Sequence, residues 1–188
     1  MKPHWTEIPG WINENEGDAL FKYASEIPEA GCIVEIGSWM GKSTIALALG
    51  LKTKLKYNEN LIFAVDPHRD TSTHNKFNVS DTFEEFNKNI SKFKVADIVQ
   101  PIKSTSEEFA KGWTARISLL FVDGEHTYES VKQDLGLWLP FLIKNGIVMC
   151  HDYDGGTPGV VKAVQEMMPG SKYVWLPRVG SLFIGRKI

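Results

Sequence analysis

The apolar residues of this chain fall into short, nearly continuous runs separated by longer stretches with helical spacing. Five such runs predict strands covered on both faces, because a half-exposed strand would alternate polar and apolar residues. They lie at residues 32–36, 61–65, 98–102, 117–122 and 147–150. The third is the weakest prediction, since Pro101 cannot donate a hydrogen bond to a neighbouring strand.

The stretches between these runs predict helices. In one of them, Phe83, Phe86, Ile90 and Phe93 are spaced three, four and three residues apart, which places them on one helical face. The predicted helices cover residues 17–27, 43–51, 81–93, 128–142 and 158–168. Alternating strands and helices predict a parallel sheet with helices on both faces.

The end of the chain breaks this alternation. Runs at 172–176 and 181–184 are separated by only four residues, too few for the crossover that parallel strands need. They therefore predict an antiparallel hairpin. The expected fold is α/β: a Rossmann-like, doubly wound, seven-stranded sheet, mostly parallel, with a C-terminal antiparallel hairpin.

We expect one domain over residues 1–188, with residues 1–30 as an N-terminal helical segment. Trp5 and Trp11 lie in this segment. The sequence leaves two interpretations open for them: a small lid over a pocket, or packing on the outside of the sheet.

Charge and cysteine content narrow the expected setting. The net charge of −2 provides no basic field for nucleic acid, and the short basic run at 52–56 is typical of a solvated helix end. Cys32 and Cys150 each adjoin an apolar run, as reduced core thiols do. With no apolar stretch of membrane-spanning length and no signal peptide, we expect a soluble cytoplasmic protein with neither nucleic acid nor membrane as partner. Whether it acts alone or as a homo-oligomer stays open.

Polar residues follow each of the five predicted strands. In a parallel sheet these positions meet at the carboxyl edge, where ligands bind. They are residues 37–43, Asp66, residues 104–106, residues 123–126 and residues 151–154.

The first of these loops, residues 35–44, runs from an apolar strand into a helix. Gly37 permits a tight turn, Gly41 a close approach of a ligand, and the helix start at Ser43 favours an anion. A triphosphate-binding loop would need a glycine at position 36, which is Ile36, and a dinucleotide fingerprint would need a third glycine. Both alternatives are therefore disfavoured.

Asp66 ends the second strand, where an acid suits the two hydroxyls of a ribose. The alternative is a helix cap or a surface turn with Pro67. A ribose acid without a pyrophosphate loop indicates an adenosyl ligand that carries no phosphate.

These motifs together resemble the class I S-adenosylmethionine-dependent methyltransferases. A narrower resemblance is to the branch with an Asp-Gly-x-His motif, which includes antibiotic and sugar O-methyltransferases and is related to catechol O-methyltransferase. The residues that carry it are 35–43, Asp66, 122–128, Asp134, Pro140 and 147–153, and it extends over about residues 30–188.

The resemblance implies roles for particular residues. The cofactor would be S-adenosylmethionine, with Ser43 at its carboxylate, Asp66 at its ribose, and Ser104 and Thr105 bordering its adenine. Five residues match the family's motif around the methionine part of the cofactor: Glu35, Gly37, Ser38, Trp39 and Gly41. Asp123 would make a further contact with the cofactor.

The resemblance also implies a reaction centre. Asp123 and Asp152 end neighbouring strands and would hold Mg²⁺, although Tyr153 stands where metal-dependent relatives carry a third ligand and Asp154 comes one residue later. The alternative is that Asp123 contacts only the cofactor and Asp152 caps a turn. His126 would act in catalysis together with Asp123, taking the proton of an acceptor hydroxyl. The alternative is that His126 caps the following helix. His151 is expected to be a structural neighbour of the sheet end.

The leading hypothesis is methyl transfer to a hydroxyl of a small molecule or sugar. One alternative is a non-catalytic adenosine-binding domain, which the retained Asp66, Asp123 and His126 argue against. Another is nucleic-acid methylation, disfavoured by the charge balance and by the lack of an Asn/Asp-Pro-Pro-Tyr/Phe motif after the fourth strand.

Overall fold

The computed structural model describes residues 5–28, 31–54, 61–69, 79 and 81–188. Its strands are β1 (Cys32–Ile36), β2 (Ile62–Val65), β3 (Val99–Ile102), β4 (Ile117–Val122), β5 (Leu142–Cys150), β6 (Tyr173–Val179) and β7 (Leu182–Lys187). Its helices are α1 (Glu14–Glu26), α2 (Lys42–Leu51), α3 (Thr82–Lys92), α4 (Ser106–Ala110), α5 (Tyr128–Trp138) and α6 (Pro158–Met167).

The seven strands form one sheet in the order β3-β2-β1-β4-β5-β7-β6. All neighbouring pairs from β3 to β5 are parallel, and β7 runs antiparallel to both β5 and β6. The strand order reverses between β1 and β4, and in doubly wound sheets ligands bind in the crevice at the carboxyl ends of the strands beside such a reversal. The expected fold class is confirmed, including the C-terminal hairpin.

Successive residues of the central strands face two different hydrophobic clusters. Ile33 and Leu119 pack with α1, α2 and α3, whereas Val34 and Leu120 pack with α5 and α6. The strands are apolar on both sides because helices cover both faces of the sheet. The weak third strand exists as β3 at the sheet edge, where Pro101 is tolerated.

Capping residues explain where the helices differ from the prediction. Helix α1 begins three residues earlier than expected because Asn13 and Glu16 form a capping box. Helix α5 ends at Trp138 rather than at residue 142, since Pro140 cannot continue a helix and lies in a short 3-10 turn. The short helix α4 was not predicted.

The two N-terminal tryptophans have different environments. Trp5 is 2% exposed and stacks on Phe21 of α1, so it belongs to the core and a lid role for it is wrong. Trp11 is 53% exposed and packs against Trp39, with 4.7 Å between ring centroids. The expected single domain over the whole chain stays a prediction.

No helix in the described ranges is long and apolar enough to cross a membrane. Part of the basic run at 52–56 lies outside the described residues.

Candidate active site

The loop after β1 depends on two glycines with positive φ, Gly37 at 89° and Gly41 at 86°. A Cβ on Gly37 would lie 2.0 Å from the backbone oxygen of Asp123, so only glycine allows the ends of β1 and β4 to approach. A Cβ on Gly41 would meet the Phe86 ring at 3.1 Å. Gly41 is also the N-cap of α2 and has no side chain to cap the first turn. The N–H groups of that turn therefore have no cap side chain as an acceptor, which suits an anionic ligand group.

Glu35 is a fully buried carboxyl group directly below this loop. Its Oε2 accepts a 2.5 Å hydrogen bond from Thr44 Oγ1, and burial raises its pKa to about 8 despite hydrogen bonds from Ser43 and Thr44. Ser43 is thus placed beside Glu35 at the start of α2. Two buried polar atoms in this part of the described structure, Glu35 Oε1 and Ser38 Oγ, have no hydrogen-bond partner. Buried polar groups normally have partners, so these two atoms suit a polar ligand in the crevice.

Asp66 connects the loops after β1 and β2. Its Oδ2 accepts from the backbone N–H of Trp39 at 2.9 Å, and its Oδ1 accepts from that of His68 at 2.6 Å. The His68 ring is held in turn by Thr82 Oγ1 at 3.0 Å. Asp66 is therefore not a helix cap, whereas its bond from the His68 N–H, across Pro67, is a turn contact of the kind that the other alternative expected. Its side chain is 15% exposed.

The loop after β3 lies next to Asp66. The backbone N–H of Ser104 donates to the carbonyl of Asp66 at 3.2 Å. Thr105 is the N-cap of α4, where its hydroxyl accepts from the Glu108 N–H. The backbone of Ser104 is thus held beside Asp66, while the hydroxyl of Thr105 caps α4.

Three side chains come together after β4 and β5. His126 Nε2 lies 2.9 Å from Asp152 Oδ2 and 3.8 Å from Asp123 Oδ1. The pKa of His126 is raised, first by Asp123 and then by Asp152, against the opposing effect of burial. The cap of α5 is Thr127, whose hydroxyl accepts from Ser130 N–H, so the interpretation of His126 as a helix cap is wrong.

Two buried residues extend this cluster, and sequence reasoning missed the role of both. His151 Nδ1 lies 3.3 Å from Asp123 Oδ1 and 3.3 Å from Asp152 Oδ2, and its Nε2 lies 3.3 Å from Glu16 Oε2. Burial alone would lower the pKa of His151, but hydrogen bonds to Asp123 and Glu16 outweigh it and raise the pKa to about 10. The Asn13-x-x-Glu16 capping box was readable in the sequence, but its contact with β5 was not.

The residues after Asp152 point elsewhere. The Tyr153 ring packs on Phe183, with 5.2 Å between centroids, and Asp154 Oδ1 accepts from the N–H of Gly156. Neither joins the two carboxylates. The ligand atoms of Asp123, His126 and Asp152 instead lie within 4.8 Å of one another, a grouping that suits a metal ion.

Comparison with known families places the chain. Residues 34–153 match a family model described as a methyltransferase domain, so the chain belongs to this family. The resemblance to class I S-adenosylmethionine-dependent methyltransferases is confirmed. An uncharacterized protein, R132 of Acanthamoeba polyphaga mimivirus, is 30% identical over 143 residues, covering 72% of this chain. The chain spans 58% of the length of that relative.

Solved structures share the fold at low sequence identity. The O-methyltransferase NovP is 16% identical with a TM-score of 0.74, covering 92% of this chain and 79% of NovP. CalS11, a TDP-rhamnose 3'-O-methyltransferase of calicheamicin biosynthesis, is 19% identical with a TM-score of 0.66. The match covers 93% of this chain and 81% of CalS11. A putative rRNA methylase from Clostridium thermocellum is 18% identical with a TM-score of 0.65. The match covers 95% of this chain and 100% of the methylase.

Proposed function

We propose that the chain binds S-adenosylmethionine in the crevice between β1 and β4 and transfers its methyl group to a hydroxyl of a small molecule or sugar. The observation that carries the cofactor assignment is the buried Glu35 Oε1, which lacks a partner beneath the loop containing Gly37 and Gly41. In this proposal the methionine part lies on that loop, with its carboxylate at the N–H groups that begin α2. The ribose hydroxyls meet Asp66, and Ser104 and Thr105 border the adenine.

The acceptor hydroxyl would bind beside Asp123, His126 and Asp152. His126 is 47% exposed on its side chain, the most accessible of the three, so an acceptor can reach it. With Nε2 held by Asp152, Nδ1 is the nitrogen that would take the hydroxyl proton, as in other histidine–carboxylate pairs. The sulfonium is the activated group, and the protein supplies orientation and a dry crevice.

A divalent cation fits this donor set. Asp123 and Asp152 offer the oxygen ligands that Mg²⁺ prefers, and His126 is the third side chain within reach. Such an ion would supply Lewis-acid chemistry that acidifies the acceptor hydroxyl. His126 could not be a ligand through Nε2 and a free base at once. Diffraction from Mn²⁺-soaked crystals separates the two roles: an anomalous peak within about 2.5 Å of both carboxylates supports the ion, and a peak that also touches His126 excludes the base role.

The class of acceptor is inferred from general features. A net charge of −2 favours a small molecule over RNA, and NovP and CalS11 are named as O-methyltransferases. We place the protein in the cytoplasm because the thiols of Cys32 and Cys150 are free.

Transfer of labelled methyl groups tests this function. The full chain and an Asp66→Ala variant are incubated with methyl-labelled S-adenosylmethionine and, separately, with a small-metabolite extract or with total RNA. We expect label in alkali-stable ethers of the metabolite fraction with the native chain, and less label with Asp66→Ala at a cofactor concentration near the affinity of the native chain. Label in RNA alone would contradict the acceptor assignment. Cofactor binding without transfer to either pool would favour the non-catalytic alternative.

A further inference from the structure

A buried carboxylate from the N-terminal helix reaches the candidate reaction centre. Glu16 is 2% exposed, although it lies in the first turn of α1, where acidic residues are normally solvated. Its Oε2 accepts from the Asn13 N–H at 3.0 Å, as a capping box requires. Capping explains this one contact, but it explains neither the burial nor the remaining partners.

Those partners lie on the C-terminal hairpin and on β5. Glu16 Oε1 accepts from both the backbone N–H and the hydroxyl of Ser181, each at 2.9 Å. A Cβ on Gly180 would lie 2.5 Å from the same oxygen, so the turn between β6 and β7 is shaped around Glu16. Oε2 lies 3.3 Å from His151 Nε2. A single carboxylate thus joins α1, the hairpin and the end of β5.

His151 carries this connection to the reaction centre. Its ring is 4% exposed, with one nitrogen on Glu16 and the other equidistant from the carboxylates of Asp123 and Asp152. Carboxylate oxygens therefore hold the ring from two sides, and the hydroxyl of Ser181 also lies 3.3 Å from Nε2. It is fixed at both ends and cannot rotate without breaking a buried contact.

Negative groups outnumber positive ones around this ring. Glu16, Asp123 and Asp152 are three carboxylates arranged around one buried imidazole, with His126 at the exposed side. Removing the carboxylate of Glu16 would leave the hydroxyl of Ser181, 3.3 Å away, in place of a carboxylate at His151 Nε2, and that hydroxyl would lose its own bond to Glu16. The ring would then be held less firmly on this side, which weakens its hold on the two aspartates.

We propose that Glu16 and His151 are positioning residues: the pair holds the Asp123 and Asp152 carboxylates in the orientation in which they face the acceptor. The N-terminal helix α1 is then a working part of the active site rather than only a cover for the sheet. This rests on the proposed function for the role of the two aspartates, but the pair itself is tested without any acceptor.

The test uses ¹⁵N-histidine NMR of the full chain and of Glu16→Gln, which keeps the side-chain shape but removes the charge. The matched control is Glu14→Gln, which removes an exposed carboxylate from the same helical turn. In the native chain, we expect a ring N–H signal of His151 that exchanges slowly with solvent, because the ring is 4% exposed and has partners at both nitrogens. In Glu16→Gln we expect this signal to exchange faster and the His126 signals to shift, because the hold of His151 on Asp152 is weakened. In Glu14→Gln neither changes.

Unchanged His151 and His126 signals in Glu16→Gln would overturn the proposal and leave Glu16 a cap and turn residue. If that variant does not fold, His151→Gln gives a second test through the His126 signals alone, and unchanged signals there also contradict the proposal. Failure of the proposed function is distinguished by calorimetry: a native chain with the expected His151 signals that binds no S-adenosylmethionine would refute the function and leave the pair intact.

Discussion

The backbone N–H of Trp39 donates a 2.9 Å hydrogen bond to Oδ2 of Asp66. This bond joins the loop after β1 to the loop after β2, so the residue proposed to bind the ribose also sets the shape of the loop proposed to bind the methionine part. A change at Asp66 should therefore affect both parts of the proposed cofactor site, the ribose contact and the shape of the loop after β1.

Asp66→Ala should weaken binding of S-adenosylhomocysteine by about 1–3 kcal/mol, the range for removing one partner of a buried hydrogen bond. The loss of the bond to Trp39 adds to the loss of the ribose contact. Equilibrium titration of the native chain and of Asp66→Ala with S-adenosylhomocysteine measures the change in affinity. Asp97→Ala, which removes an exposed carboxylate paired with Lys52, is the control and should bind as the native chain does. Equal affinity in all three proteins would remove Asp66 from the site.

Gly37→Ala should be far more damaging than Gly112→Ala. Both residues have positive φ, 89° and 79°, so both substitutions carry the backbone penalty of about 1–2 kcal/mol. A Cβ on Gly112 meets nothing within 4 Å, whereas one on Gly37 lies 2.0 Å from the backbone of Asp123. Denaturant unfolding and cofactor titration should show a modest loss of stability for Gly112→Ala, and a larger loss plus weakened binding for Gly37→Ala. Similar stability losses would mean that the approach of β1 to β4 is not tight.

The pKa of Glu35 predicts a pH-dependent stability in the absence of cofactor. Burial raises this pKa from 4.5 to about 8, so between these values the folded chain holds a proton that the unfolded chain has released. The free energy of unfolding should therefore fall as the pH rises through this range. Glu35→Gln cannot ionise, so its stability relative to the native chain should increase with pH. Urea unfolding of both proteins at several pH values checks this, and a difference independent of pH would contradict it.

His126→Ala should lower turnover by about 10²–10⁴, the usual contribution of a positioned base, with cofactor affinity nearly unchanged. His126→Gln keeps a hydrogen bond to Asp152 but cannot take a proton, so it separates orientation from proton transfer. Glu125→Gln, which removes the exposed neighbouring carboxylate, is the control. Steady-state kinetics with the acceptor found by labelling measures all three. Full turnover in His126→Gln would exclude the base role.

The fold was predictable because its strands are apolar on both faces and its tail leaves no room for a helix. The position of Gly37, Gly41 and Asp66 at one edge of the sheet was predictable too, since these residues all follow strands whose carboxyl ends meet there; their role in cofactor binding stays a prediction. The surroundings of His151 and Tyr153 could not be predicted from local sequence patterns, because they depend on residues distant in the chain. His151 looked structural because nothing near it in sequence reveals Glu16, 135 positions away. Tyr153 was recognised as a poor metal ligand, but the ring of Phe183 that draws it away comes from β7.

Cofactor binding is tested by a calorimetric titration of the native chain with S-adenosylhomocysteine and, separately, with ATP. We expect low-micromolar or tighter binding of S-adenosylhomocysteine, about −8 kcal/mol or more favourable, and no binding of ATP. The buried Glu35 and the absence of a glycine at position 36 leave no cradle for a triphosphate. Heat on addition of ATP, with none from S-adenosylhomocysteine or S-adenosylmethionine, would contradict the assignment of the cofactor.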